Sequence, residues 1–360
     1  MDRVYMRMAL KLAEKGRGKT SPNPLVGAVI VKEGSVIGQG YHEQYGRPHA
    51  EVNAIKTATE PVEGATIYVT LEPCVHFGKT PPCTDLIIES KIKKVIVAAM
   101  DPNPLMAGKG IQLLREAGIE VREGILRKES EKLNEVFNKF ITTQKPFVIM
   151  KYAMTLDGKI ATESGKSKWI SSEKSRNHAH KTRGQVAAIL IGIGTVLKDD
   201  PLLTSRIEGL SNPIRVVLDR NLNIPESSKL LQTLNLAPTI IVTSESACVE
   251  KIDRLKQKGV QVLLMQLDDG TFDFKKLMTL LGEDGIDSLL IEGGASIHAA
   301  AFEAGVVDKV AVYIAPKIFG GQNALSPIGG KGIQRVSAAV ELKTYELSQL
   351  GEDILIEGYL

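Results

Sequence analysis

Apolar positions along the first 140 residues alternate between two spacings. Val4, Met8 and Leu12 recur at helical intervals and predict an opening helix with that face turned inward. Residues 26–31 form an unbroken β-rich run, Lys32-Glu33-Gly34 supplies a turn, and residues 36–41 return as a second strand. A helix from Ala50, a strand over 66–70, a helix after Cys83, a strand at 95–98 and a helix after Lys109 continue the rhythm. Residues 126–140 read as one long amphipathic helix that closes the unit.

The pattern then breaks. Residues 142–146 are short and polar, Pro146 stops the helix, and a new strand begins at Phe147. Further strands are expected at 187–191, 214–218, 239–242, 260–264 and 289–291, with helices between several of them, as at 248–258 and 295–304. The expectation is two α/β domains, residues 1–144 and 147–360, with no close repeat between them.

Composition sharpens this picture by exclusion. Of 360 residues, 43% are apolar and 24% charged, ordinary for a globular chain with two cores. A net charge of +3 is too weak to argue for nucleic acid. The densest apolar stretch, 186–193, falls far short of the ~20 residues of a membrane span. Charges at Asp2, Arg3, Arg7, Lys11, Glu14 and Lys15 leave no apolar core for a signal peptide. Three cysteines, Cys74, Cys83 and Cys248, argue against a disulfide framework and for a reducing cytoplasm, where paired cysteines more often hold metal.

The strongest chemical signal is His49-Ala50-Glu51, followed by Pro73-Cys74 and Pro82-Cys83. One imidazole and two thiolates suit Zn²⁺ and leave its fourth position open for water. Glu51 is then the carboxylate that shuttles protons without binding the metal, as in the zinc deaminase signature His-x-Glu with Pro-Cys-x-x-Cys. Here eight residues, not two, separate the cysteines, so the insertion 75–82 must loop out. Residues i and i+2 do not share a helix face, so His49 and Glu51 must sit at a helix start. The competing reading is a common tripeptide beside two buried structural cysteines; the order of the motifs weighs against it. Cys248 reads as a packed or surface helix residue, His178 and His180 as solvated on a charged helix, and His298 as local structure after a glycine turn.

The run from Ser21 to Ala28, with Gly40-Tyr41-His42 ahead of His49-Ala50-Glu51, resembles the cytidine deaminase superfamily. The run from Thr70 to Cys83, with Asp101-Pro102-Asn103-Pro104, is similar to the deaminase half of bacterial riboflavin-biosynthesis deaminase-reductases. The resemblance implies a cytidine-deaminase-like α/β/α fold. It also implies hydrolytic deamination of a diaminopyrimidinone carrying a ribosylamino 5′-phosphate. Asn23 and Asn103 would bind that substrate through their amides, and Lys79 is the candidate for its phosphate. Turn chemistry beside proline competes for the two asparagines, and a solvated loop for the lysine.

In the second half, Ile191-Gly192-Ile193-Gly194-Thr195 and Ile291-Glu292-Gly293-Gly294 each follow an expected strand. A glycine-rich turn opening a helix suits a pyrophosphate, although the third glycine of a dinucleotide fingerprint is missing and a tight structural turn competes. The residues themselves therefore support a nucleotide site but not hydride transfer. These segments resemble, in the same order, the dihydrofolate-reductase-like domain of the same riboflavin enzymes, so the likeness spans nearly the whole chain. It implies NADPH-dependent reduction of the ribosyl to a ribityl chain. Ala153, Trp169, Thr195, Asp199 and Gly294 would contact NADPH; Lys151, Ser167, Arg183, Leu203, Arg206 and Glu292 would contact substrate. Arg183 and Arg206 suit a phosphate, and Trp169 suits either a cofactor ring or partly buried packing. Arg220 is a candidate for a 2′-phosphate. The family also implies a homo-oligomer, dimer or tetramer, acting on a small phosphorylated pyrimidine. Two other readings stay open at this point: a deaminase of nucleosides or tRNA bases with a non-reductase second domain, and a ligand-binding protein with a structural zinc. A fourth protein ligand to the metal would favour the last.

Overall fold

The computed structural model describes residues 1–76 and 81–360, and the chain separates into two compact units, Met1–Gln144 and Lys145–Leu360.

The first unit runs α1 (Asp2–Ala13), β1 (Gly27–Lys32), β2 (Ser35–Tyr41), α2 (Ala50–Lys56), β3 (Thr66–Leu71), α3 (Cys83–Glu89), β4 (Lys94–Ala99), α4 (Lys109–Glu116), β5 (Glu120–Glu123), α5 (Arg127–Leu133) and α6 (Glu135–Thr143). Its sheet has the order β2-β1-β3-β4-β5; β1 pairs antiparallel with β2 and β3, and β3, β4 and β5 are parallel. Successive strand residues point to opposite faces, and both faces are covered. Ala28, Ile30, Ile67 and Val95 pack with Ala54, Ile87 and Leu114 of the helices on one side. Val29, Val31, Tyr68 and Ile96 pack with Met6 and Ala9 on the other. The layering is α/β/α, and the continuous apolar runs in the sequence are its doubly buried strands.

Two expectations are corrected here. The inward face of α1 is Met6, Ala9 and Ala13, while Val4 is 52% exposed. The backbone of α1 lies so close to β1 that a Cβ on Gly27 would run into the Ala9 carbonyl, so small residues win that face over bulkier ones. The stretch 126–140 is two helices, α5 and α6, broken at Asn134. The buried Asn134 amide accepts from Leu25 N–H at 2.7 Å and donates to Leu25 C=O at 3.0 Å, pairing a distant strand entry in place of a continuous helix. Strand β5, whose residues are nearly all exposed and polar, carries no apolar alternation and was not predicted.

The second unit runs β6 (Phe147–Thr155), α7 (Glu173–Arg183), β7 (Ala188–Gly192), α8 (Ile193–Asp199), β8 (Ile214–Leu218), α9 (Lys229–Gln232), β9 (Thr239–Ser244), α10 (Val249–Gln257), β10 (Gln261–Met265), α11 (Phe274–Glu283), β11 (Ser288–Ile291), α12 (Ala295–Glu303), β12 (Lys309–Ala315), β13 (Thr344–Leu350) and β14 (Asp353–Tyr359). The sheet order is β10-β9-β8-β7-β11-β6-β12-β14-β13; it is parallel from β10 to β12 and antiparallel from there to β13. Strands β12, β13 and β14 escaped the sequence reading, and β13 shows why: it is an exposed edge with no buried alternate face. The parallel strands bury both faces, Leu190, Val216 and Val242 on one side and Ile189, Val217 and Ile241 on the other. Their carboxyl ends therefore open along one rim, the usual place for a ligand in such sheets.

Candidate active sites

In the first unit, the glycines of β2 let α2 lie directly on the sheet. A Cβ on Gly40 would run into Ala50 O and Ala54 N, and one on Gly38 into Ala54 O. This contact fixes where α2 begins. His49 is its N-cap with extended backbone (φ −72°, ψ 168°), and Glu51 lies in the first turn. Because His49 is outside the helical repeat, both side chains reach one cavity although they are two residues apart.

Cys74 follows β3 and Cys83 opens α3. His49 Nδ1 lies 3.3 Å from Cys83 Sγ and 3.5 Å from Cys74 Sγ, and the three ligand atoms lie within 4.8 Å of one another. Tetrahedral Zn²⁺ with bonds of about 2.3 Å to sulfur and 2.0–2.1 Å to nitrogen requires separations of about 3.6 Å, so the donor set fits zinc. Among the described residues this is the one His, Cys, Asp and Glu cluster of metal-binding geometry, and it has three members, not four. The third competing reading, a closed structural zinc, thereby loses its support. Hydrogen bonding from Cys83 and His49 holds the Cys74 thiol down to about 4 against its burial. Burial first, and then the Cys74 charge, push Glu51 up to about 7, and the residue is 3% exposed.

His49, Cys74 and Glu51 line a cavity of about 410 Å³, walled also by Asn23, His42, Asp101, Asn103, Phe137 and Ile141, while Cys83 is buried behind it. The Pro48 carbonyl can only accept, so His42 Nδ1 (3.2 Å away) carries the proton and Nε2 accepts from the Asn23 amide at 3.2 Å. Sequence reasoning quoted Gly40-Tyr41-His42 but gave His42 no role. Asn103 Oδ1 caps Leu105 N–H at 3.0 Å, so the turn chemistry weighed for it is present beside its place in the cavity wall. Lys79 lies outside the described residues.

Glu72 was also missed. Its buried carboxylate accepts from the backbone N–H groups of Asp101 (3.1 Å), Gly108 (3.0 Å), Gly110 (2.8 Å) and Ile111 (3.2 Å). One side chain thus ties the loop bearing Cys74 to the loop bearing Asp101 and Asn103. A Cβ on Gly110 would run into Pro73 O, so glycine is needed for the approach.

In the second unit, Lys151, Ala153, Ser167, Trp169, Arg183, Asp199, Leu203 and Arg206 line a cavity of about 400 Å³. Thr195 lies in α8 and Gly294 (φ 73°) caps α12, at the carboxyl ends of the neighbouring strands β7 and β11. Gly294 is exposed, and nothing lies within 4 Å of a Cβ built on Gly194. Bare backbone at the start of α12 suits a dinucleotide's phosphates.

Two expectations change. Arg183, on the cavity wall, also grips Glu292: Nε and Nη2 donate to its two oxygens at 2.7 and 2.8 Å, and Lys151 Nζ stands 3.5 Å from the same carboxylate. Burial opposes ionisation of Glu292, but Arg183 and Lys151 overcome it and hold the carboxyl at about 2. Arg183's charge is therefore already matched, which leaves the exposed Arg206 as the better phosphate group. His178 and His180 are half-buried and bonded, not simply solvated: His178 Nδ1 meets Tyr313 Oη at 2.8 Å and His180 Nδ1 meets Thr204 O at 3.2 Å. Cys248 is exposed as the N-cap of α10, and His298 is buried with Nδ1 2.9 Å from Pro327 O. Arg220 donates to Gly270 O at 2.9 Å.

Comparison with known proteins matches residues 1–99 to the cytidine and deoxycytidylate deaminase zinc-binding region and residues 146–356 to the RibD C-terminal domain. The riboflavin biosynthesis protein RibD of Actinobacillus pleuropneumoniae is 50% identical over 356 residues, covering 99% of this chain and 94% of that protein. The chain belongs to the RibD family. The RibD of Aquifex aeolicus is 48% identical over 99% of this chain and 98% of its own length. A Thermotoga maritima crystal structure, titled diaminohydroxyphosphoribosylaminopyrimidine deaminase/5-amino-6-(5-phosphoribosylamino)uracil reductase, superposes with a TM-score of 0.88 at 40% identity, covering 99% of this chain and 98% of that one. Acinetobacter baumannii RibD gives a TM-score of 0.90 at 38% identity, with the same coverage of both chains. The chain thus joins a zinc-dependent deaminase domain to an NADPH-dependent reductase domain of riboflavin biosynthesis. The match over residues 146–356 removes the reading in which the second domain is not a reductase.

Proposed function

We propose that the first unit hydrolyses the ring amine of 2,5-diamino-6-ribosylamino-4(3H)-pyrimidinone 5′-phosphate, releasing ammonia, and that the second unit then reduces the ribosyl of the product to ribityl with NADPH. The observation that carries this reading is the three-ligand cluster of His49, Cys74 and Cys83, with His49, Cys74 and the buried Glu51 on the wall of one cavity. Zinc, when bound, supplies the Lewis acidity that brings loss of a proton from water near neutral pH. Glu51 takes that proton on its carboxylate and returns it to the departing nitrogen, which leaves as ammonia while the carbon keeps the oxygen. Asn23, oriented by His42, and Asn103 offer amides to the ring edges, and Lys79 meets the phosphate.

In the second unit Ala153, Trp169, Thr195, Asp199 and Gly294 hold NADPH, and Lys151, Ser167, Arg183, Leu203, Arg206 and Glu292 serve substrate. Among these, Arg183 and Glu292 also orient Lys151 through their ion pairs. The cofactor supplies the hydride for C1′, and the protein supplies binding and orientation. No helix among the described residues is long and apolar enough to cross a membrane. The three cysteines, all free thiols, suit a cytoplasmic enzyme. Tyr345 and Leu347 on the edge strand β13 are 62% and 63% exposed, which supports a homo-oligomer.

A two-stage assay tests the order of reactions. Ammonia is expected from the diaminopyrimidinone without NADPH, followed by NADPH oxidation once it is added. Ammonia without oxidation would remove the reductase assignment; neither signal from zinc-loaded protein would remove the substrate.

A further inference from the structure

Trp169 is the single tryptophan of the chain, and 64% of it is exposed. A large apolar ring left in the open on a cavity wall is a face offered to a ligand when it is held still. Trp169 is held twice. The Arg176 guanidinium carbon lies 4.5 Å from its ring centroid, and Arg176 Nη1 also donates to Ser171 O at 2.6 Å. From a segment 148 residues further along the chain, Lys317 Nζ donates to the carbonyls of Trp169 and Ile170 at 3.0 and 2.7 Å. Ring and backbone are thus anchored by separate cations. Arg176 lines the same cavity as the indole it covers.

We propose that Arg176 is a positioning residue of the reductase: it occupies one face of the Trp169 indole and fixes the ring as a platform for a flat ring of the nicotinamide cofactor. The inference rests on the assignment of Trp169 to the cofactor. A guanidinium is suited to this because it stacks on the ring while its remaining N–H groups stay in plane to bind a carbonyl.

The test uses full-length, zinc-loaded protein, and reads NADPH kinetics and Trp169 emission with the deaminated substrate, and ammonia release with the diaminopyrimidinone, for Arg176→Gln and Trp169→Phe. Arg176→Gln is expected to raise KM for NADPH roughly fivefold, the size of a stacked cation's contribution, while kcat stays near that of the parent. It should also shift Trp169 emission to the red and weaken its quenching by NADPH, with ammonia release unchanged. If Trp169→Phe raises KM but Arg176→Gln matches the parent in KM and emission, Arg176 has no positioning role although the cofactor assignment stands. If neither variant changes KM for NADPH, the assignment of Trp169 fails and the proposal with it. Should Arg176→Gln not fold, Arg176→Met, which keeps the stem but not the charge, is judged by the same readouts.

Discussion

Glu51 needs a buried position and a cavity wall at once, and the start of α2 provides both. Replacing it with glutamine keeps the shape and removes the proton carrier. Glu51→Gln is expected to lower ammonia release by about 10²–10⁴-fold, the range for a lost general acid–base group, with one zinc per chain retained by elemental analysis. The second buried carboxylate, Glu292, behaves oppositely because two cations face it. Its pKa is held at about 2, below the ordinary 4.5, so the folded form binds the proton less readily than the unfolded chain does. The stability this contributes is fully present above about pH 4.5 and is lost as pH falls towards 2. Thermal unfolding followed from pH 5 to pH 2 should therefore fall more steeply for the parent than for Glu292→Gln; parallel curves would contradict the ion-pair account. Both residues were visible as candidates in the sequence, but their partners were not. That Arg183 is spent on Glu292 depends on two segments 109 residues apart meeting across the sheet.

Elements act here by carrying backbone to close approach. Because α2 rests on Gly38 and Gly40, Gly40→Ala must push the helix off β2 and move His49 and Glu51 with it. Overpacking of this kind costs about 1–3 kcal/mol, so the variant is expected to melt lower and to bind less than one zinc per chain. The break between α5 and α6 is another such decision. Asn134→Ala would leave the buried Leu25 N–H and C=O without partners, and a loss of about 1–3 kcal/mol is expected in denaturant unfolding. Periodicity alone showed a continuous amphipathic helix there, since it reports which faces are apolar and not which side chain leaves the repeat to pair with a distant strand. Glu72 binds four backbone N–H groups in the same way, and its place beside Pro73-Cys74 was visible although its partners were not.

At the scale of the whole molecule, each compact unit contains its own proposed catalytic set. Removing zinc with a chelator should stop ammonia release while NADPH oxidation on the deaminated substrate continues; loss of both together would mean that the second unit depends on the metal. The sequence by itself determined the α/β class, the strongly apolar parallel strands and the His49, Cys74 and Cys83 cluster, with Glu51 as the candidate proton carrier beside it. Those features are local: a doubly buried strand must be apolar throughout, and a metal site needs particular residue types in a particular order. Only the tertiary structure decided the polar edge strands β5 and β13, the inward face of α1, and the partners of Asn134, Glu72, Arg183 and Trp169. An edge strand is specified by its neighbour's hydrogen bonds more than by its own side chains. A buried polar group is specified by whichever distant backbone needs it, and neither leaves a period in the chain.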